Sequence, residues 1–196
     1  MHHHFLFPSI VSVIDCENFN VIKPKLIEWI YQYKKNDEGV KISNAGGWQS
    51  QSNFFEDPSF TEYKEYIWTH IEKIFKDLLD SSVYLDNMWI NINKKNNFNW
   101  PHVHPEAHLS GVFWIQCPQK SGLFGFESPH SFDQWKMLKF FKQVYKQDYY
   151  LADNWRVDTS LMEGKIITFP SNLRHGVSMS SSDEDRISIA FNLKIN

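Results

Sequence analysis

The chain has 196 residues, 20 Lys and Arg against 23 Asp and Glu for a net charge of −3, and an aromatic fraction of 16%. That length suits one domain, spanning 1–196, with a single sizeable core, and the aromatic content argues against disorder. The charges are interspersed without a basic run, so no nucleic-acid partner is indicated, and no apolar run is long enough to span a bilayer.

The start, Met1-His2-His3-His4-Phe5, lacks the charged n-region and cleavage site of a signal peptide. Its three histidines read as a flexible end or an appended remnant and are given no role. Phe5 to Ile14 alternates apolar residues and predicts a first strand. Lys23-Pro24 opens a helix through about Lys35, with Leu26, Ile27, Ile30 and Tyr31 as its apolar stripe. Asn44 to Ser50 is a glycine-containing loop that lacks the Gly-Lys-Ser/Thr pattern of a phosphate cradle. Asp57-Pro58 supplies a cap and a first-turn proline for a second helix. Tyr63, Tyr66, Ile67, Ile71, Ile74, Phe75 and Leu78 form that helix's core-facing stripe.

After Ser82 the pattern changes to short runs rich in β-branched and aromatic residues: Met88–Asn93, Leu109–Cys117, Gly122–Glu127, Lys165–Pro170 and Arg186–Ile195. Helices first and strands afterwards predict an α+β fold with the helices on one face of a sheet or barrel. Within this strand region, Ser131–Gln147 carries Phe132, Trp135, Leu138, Phe141, Val144 and Tyr145 at near-helical spacing, which predicts an inserted helical segment near 131–153. Cys16 and Cys117 allow a single disulfide, but Cys117 closes an apolar strand, where a reduced buried thiol is expected. A reducing cytoplasm fits.

The chemistry-bearing residues cluster in two stretches. Trp100-Pro101-His102-Val103-His104-Pro105-Glu106 places side chains two apart on one face of a strand. Two registers are open, His102 with His104 or His104 with Glu106, and Pro105 disturbs the strand in the second. His108 reads as surface or peripheral to the site. Downstream, His175 follows the buried run Lys165–Pro170, and Arg186 and Ser188 share a face of the last strand. Neutral imidazoles with an optional carboxylate suit a ferrous ion that keeps open positions. A guanidinium with a hydroxyl suits a carboxylate ligand, although Asp183, Glu184 and Asp185 also offer Arg186 a local salt bridge. Asn91, Asn93 and Asn192 lie on strand-like runs and fit either a pocket lining or a backbone-satisfying role.

The order His-x-His/Glu, distal His, Arg-x-Ser resembles the iron(II)- and 2-oxoglutarate-dependent oxygenases. More closely, the chain is similar to small 2-oxoglutarate oxygenases of bacteria and tailed phages. The likeness rests on Phe7-Pro8-Ser9-Ile10, Ser43–Ser50, Trp89-Ile90-Asn91, His102–Pro105, Leu109–Val112, Phe169–His175 and Arg186–Asn192. It covers nearly the whole chain apart from Ser131–Asp153.

The resemblance implies a double-stranded β-helix, jelly-roll or cupin-like, with N-terminal helices packed outside. It implies Fe(II) on His102, His104 and His175, with 2-oxoglutarate as co-substrate held by Arg186 and Ser188. It also implies O2-dependent hydroxylation of an unidentified substrate coupled to decarboxylation of 2-oxoglutarate to succinate, and a cytoplasmic setting that could be that of a phage host. The chain departs from the superfamily pair His-x-Asp/Glu by having histidine at 104. His102 is the expected first ligand because Pro101–His104 sits at the strand end where that pair belongs; a triad of His104, Glu106 and His175 is the other arrangement. Two alternatives accompany this expectation: a three-histidine iron dioxygenase that needs no 2-oxoglutarate, and a non-catalytic metal-binding β-barrel.

Overall fold

The computed structural model describes residues 9–76, 78–129 and 154–196. The expected helix at Ser131–Gln147, the 131–153 insertion as a whole and His2 to His4 lie outside the described residues. The strands are β1 (Ser12–Asp15), β2 (Asn44–Ala45), β3 (Trp48–Gln49), β4 (Val83–Asn93), β5 (Phe98–His102), β6 (Leu109–Gln116), β7 (Leu123–Glu127), β8 (Asn154–Asp158), β9 (Lys165–Pro170), β10 (His175–Val177) and β11 (Arg186–Ile195). Two α-helices, α1 (Phe19–Lys34) and α2 (Thr61–Lys76), lie near the N-terminus. All strand pairs are antiparallel and form two sheets, a major one in the order β1-β9-β6-β11-β4-β3 and a minor one in the order β2-β5-β10-β7-β8.

Each face of the major sheet buries a different core. Met88, Ile90, Ile92, Phe113, Ile115, Ile187, Ile189 and Phe191 pack against Leu26 and Ile30 of α1 and Ile67, Ile71 and Phe75 of α2. The opposite face contributes Val112, Trp114, Ile167, Phe169 and Ala190 to a second cluster, completed by Phe124 and Phe126 of the minor sheet. This double burial explains why the β6 sequence reads as a continuous apolar run and not as an alternation. The result is the α+β fold with external helices that the sequence predicts, in the double-stranded β-helix form that the resemblance implies.

Three local readings are corrected. Helix α1 begins at Phe19, after Asn18 in a left-handed conformation, and so takes in Pro24 one turn further along than a first-turn proline would sit. The backbone bond that Pro24 cannot donate would have gone to Asn20, which is exposed, so water can take its place. Strand β1 begins only at Ser12. The Asn44–Ser50 loop contains two short strands, β2 in the minor sheet and β3 in the major one. Gly46 and Gly47 between them both have positive φ, 71° and 70°, and carry the chain from one sheet to the other.

Gly111 shows how closely the two cores approach. A Cβ there would lie 2.3 Å from Phe191 Cζ and 2.8 Å from Ile167 O. Both neighbours are fully buried, so neither can yield cheaply. Gly111→Ala is expected to lower folding stability by about 1–3 kcal/mol through overpacking, read as a reduced urea midpoint with an unchanged slope.

Candidate metal centre

The minor sheet brings the histidines together. His102 ends β5 and His175 begins β10, and the two are directly opposite in the antiparallel ladder. His104 lies two residues past β5. Its backbone N–H donates to Ser171 O at 2.9 Å, while Ser171 N–H donates to His108 O at 3.1 Å. The turn after Pro105 is thus tied to the segment just before β10, which turns the His104 ring toward His175. One ligand atom from each of His102, His104 and His175 lies within 4.8 Å of the others.

Local hydrogen bonds set which nitrogen each ring offers. His102 Nδ1 is 2.6 Å from Trp100 O, and His175 Nδ1 is 2.8 Å from Leu173 O. A carbonyl only accepts, so Nδ1 carries the proton in both rings and Nε2 keeps a lone pair. His104 Nε2 faces His175 Nε2 at 3.2 Å. Two imidazole lone pairs at that distance repel unless a proton or a cation sits between them. The spacing also suits two nitrogens about 2.1 Å from one ion at an angle of about 100°. The donor set therefore fits a divalent transition metal, and three protein donors with positions left open fit non-haem iron.

The surroundings keep the rings neutral. Trp89 stacks on His104 with centroids 5.4 Å apart, and Phe169 lies 4.5 Å from His175. Burial is the main cause that pushes His175 down to about 3 and His104 down to about 4, with repulsion from His102 adding to both. Burial likewise lowers His102, against the opposing pull of its bond to Trp100 O.

Glu106 is exposed, is not part of the cluster, and lies near Lys194. His108 is also exposed and accepts the Ile195 N–H at 2.9 Å. Of the two registers open in the sequence, the structure brings His102 and His104 together with His175.

Arg186 is 1% exposed, although three acids precede it. Among the described residues none takes it as a partner: Asp183 pairs with Lys95 at 2.7 Å, and Asp185 accepts from Tyr31 at 2.8 Å. Its guanidinium donates to Ser121 O and, at 3.4 Å, to Asn99 Oδ1. Burial lowers its pKa to about 10, which leaves it charged at neutral pH. A buried guanidinium with no counter-charge is a costly placement unless an anion completes it. Asn99 and Ser188 line the same pocket as the three histidines.

The asparagines divide between the two roles open to them. Asn91 lines the pocket, Asn93 donates to Asn99 Oδ1 at 2.8 Å, and Asn192 links Ser110 and Asn87. Reasoning from sequence gave no pocket role to Trp89, Ser43, Asn99 or Trp114, all of which line it. Trp89 could have been found from the alternation Asn87, Trp89, Asn91, Asn93 against Met88, Ile90, Ile92. Trp114, inside a run buried on both faces, carried no such signal.

A family described as "Putative 2OG-Fe(II) oxygenase" matches residues 87–192. No curated protein matches the sequence. Among solved structures, a Pseudomonas putida prolyl-4-hydroxylase aligns with TM-score 0.60 at 10% identity, covering 94% of this chain and 92% of its own. HygX from Streptomyces hygroscopicus, solved with nickel and 2-oxoglutarate bound, aligns with TM-score 0.61 at 11% identity over 95% of this chain and 82% of its own. The non-heme alpha ketoglutarate dependent epimerase SnoN from nogalamycin biosynthesis gives 0.67 at 11% identity over 94% and 76%. At these identities the likeness is one of fold.

The low histidine pKa values have a stability consequence in the metal-free protein. In the unfolded chain these rings protonate near 6.5, whereas in the fold His104 and His175 do so only near 4 and 3. Between those values the unfolded state binds more protons, so stability falls as pH drops below about 6.5. His104 and His175 should each contribute about one proton to the linkage, with a further contribution of the same sign from His102, and His175→Gln should remove about one proton. Denaturation midpoints measured from about pH 7.5 to about pH 5 give the slope.

Proposed function

Because the chain belongs to the 2OG-Fe(II) oxygenases, we propose that His102, His104 and His175 hold its iron and that Arg186 with Ser188 holds the far carboxylate of 2-oxoglutarate. The observation that carries this reading is a fully buried guanidinium with no carboxylate partner among the described residues, beside a pocket lined by three convergent imidazoles. When bound, iron and 2-oxoglutarate supply oxidation by dioxygen. One oxygen atom enters the substrate as a hydroxyl group, the other enters succinate, and carbon dioxide leaves.

The chain's own residues do the rest. The Nδ1 bonds of His102 and His175 fix ring tautomer and direction, so that Nε2 lone pairs converge before any ion arrives. Trp89 holds the His104 ring by stacking and excludes water from one side of it. Phe169 and Phe124 line the pocket's apolar wall. Arg186 and Ser188 orient a dianionic co-substrate by charge-assisted bonds, and the planar guanidinium fork suits two carboxylate oxygens at once. Histidine at 104 removes the usual protein carboxylate, so the negative charge at the centre comes from the co-substrate.

An unidentified organic substrate and O2 complete the reaction. A cytoplasmic setting accompanies this reading, supported by two free buried thiols, Cys16 and Cys117. Among the described residues no helix is long and apolar enough to cross a membrane. We take 1–196 as one domain, since both clusters share the major sheet.

Two sets of variants test the assignments. His102→Ala and His175→Ala should each lose tight ferrous binding, whereas Glu106→Ala should keep it. Metal titration reads this directly, and loss of iron in Glu106→Ala with retention in His102→Ala would move the site to His104 and Glu106. Arg186→Gln should keep fold and iron but weaken 2-oxoglutarate by about 2–3 kcal/mol, the scale of a charge-assisted bond. Ser188→Ala should cost less, since it removes one neutral hydroxyl. Calorimetric titration with manganese present measures both. Succinate formed only with iron and 2-oxoglutarate supports the reading, whereas oxygen uptake without 2-oxoglutarate would instead indicate a three-histidine dioxygenase acting on its substrate alone.

A further inference from the structure

A chain of hydrogen bonds crosses the major sheet from the pocket wall to the surface. Ser110 Oγ–H donates to Asn192 Oδ1 at 2.7 Å, Asn192 Nδ2 donates to Asn87 Oδ1 at 2.9 Å, and Asn87 Nδ2 donates to Asp86 Oδ2 at 3.0 Å. The strand register builds it, because Asn192 on β11 lies between Asn87 on β4 and Ser110 on β6. Lys194 holds Asp86 from outside at 2.7 Å.

The carboxylate fixes the sense of the whole chain. It can only accept, so Asn87 must turn its NH2 to Asp86 and its carbonyl oxygen to Asn192. Asn192 must then turn its NH2 to Asn87 and its oxygen to Ser110, which leaves Ser110 as the donor. The single hydroxyl proton is thereby spent inside the wall. Ser110 is 1% exposed and lines the pocket. Among the described residues its Oγ makes no second hydrogen bond, so what it keeps for the pocket is an acceptor.

Ser110 stands at the histidine end of the pocket, away from Arg186. Its partner on β9 is Phe169, 4.5 Å from the His175 ring, and Trp89, opposite Ala190, stacks on His104. The imidazoles thus sit level with Ala190 and Asn192. Arg186 lies six residues before Asn192 along β11, about 20 Å of strand. A co-substrate that reaches from the centre to Arg186 therefore points away from Ser110. Ala190, the small side chain between Trp89 and Val112, leaves space beside Ser110 for a second molecule.

We infer that Ser110 Oγ is a specificity-determining acceptor for the substrate, which presents to it an N–H or O–H group beside the carbon that is oxidised. Asp86, acting through Asn87 and Asn192, is the positioning residue that keeps Ser110 an acceptor. The inference rests on the proposed iron centre. Among the described residues the pocket is lined by no Asp or Glu. With a divalent ion in place an ammonium is disfavoured there, so the donor is a neutral one, as in an amide, an indole or an alcohol.

The probes are indole, which has one N–H, and 1-methylindole, which has none. Protein loaded with manganese and 2-oxoglutarate is titrated with each, and relaxation of the probe protons by the ion reports binding beside the centre. The affinity ratio of indole to 1-methylindole should be about tenfold higher in wild type than in Ser110→Ala, the scale of one hydrogen bond. Comparing ratios cancels the greater apolarity of the methyl compound. Asp86→Asn should also lower the ratio, although residue 86 does not line the pocket. A carboxamide there can donate to Asn87, which lets the chain reverse and frees Ser110 to donate.

The same ratio in wild type and Ser110→Ala, or no relaxation of either probe in wild type, would overturn the inference. A wild-type ratio in Asp86→Asn, with or without an equal weakening of both probes, would overturn the positioning role of Asp86. Manganese binding is read separately, from the relaxation of water protons. If wild-type protein binds manganese and these results are negative, the metal centre stands and only this inference fails. If it binds no manganese, the centre itself fails and this inference with it.

Discussion

Successive side chains of a strand point to opposite faces, so β4 and β11 can serve a helix-packed core and a polar pocket together only if their register holds from Asn87 to Asn93 and from Arg186 to Asn192. Met88, Ile90 and Ile92 on β4, with Ile187, Ile189 and Phe191 on β11, face the helices. Asn91, Ser188 and Ala190 face the pocket. A slip of one residue would send Arg186 and Ser188 into the helix-facing core and isoleucines into the pocket. The antiparallel pairing keeps one register from Arg186↔Asn93 to Asn192↔Asn87 and shifts only before Leu193↔Leu85, while β6 pairs along the other edge of β11 with a shift between Ile187 and Ser188. Core packing and site geometry are therefore not separable here, because the apolar set that holds the helices also places the guanidinium.

Much of this was legible in the sequence, for identifiable reasons. The long strands carry β-branched and aromatic runs, and the helices carry strong apolar stripes; these signals are local. Arg186 and Ser188, two apart on a long strand, share a face by strand geometry alone. The choice between His102 and Glu106 was not local, since both lie two residues from His104. It turns on the chain leaving β5 after His102, so that Glu106 ends on the exposed side of a turn tied to Ser171. Strands β2, β3 and β10 have two or three residues each and exist because neighbours pair with them. Pro24 misled the placement of α1 because a helix can tolerate a proline where the orphaned carbonyl reaches water. Trp114 was invisible as a pocket residue because a run buried on both faces gives no alternation.

The electrostatic character of the pocket follows from what its walls contain. Among the described residues that line it there is no Asp or Glu. Three imidazoles are kept neutral by burial, and Arg186 remains charged behind Asn99. With a divalent ion in place, every formal charge that the protein and the metal bring would be positive. In a low-dielectric interior such a field strongly favours a dianion over a monoanion of similar shape.

The two backbone-anchored histidines also say where this centre can change. His102 and His175 each bond to a carbonyl two residues back in the chain, that of Trp100 within β5 and that of Leu173 just before β10. Their aim is written into a tripeptide of chain and travels with it. Among the described residues no such tether holds His104; its ring is held by the face of Trp89 and by the neighbouring imidazoles. In the proposed centre, position 104 would thus be the interchangeable socket, where a different donor could be seated without rebuilding the backbone that supports the other two.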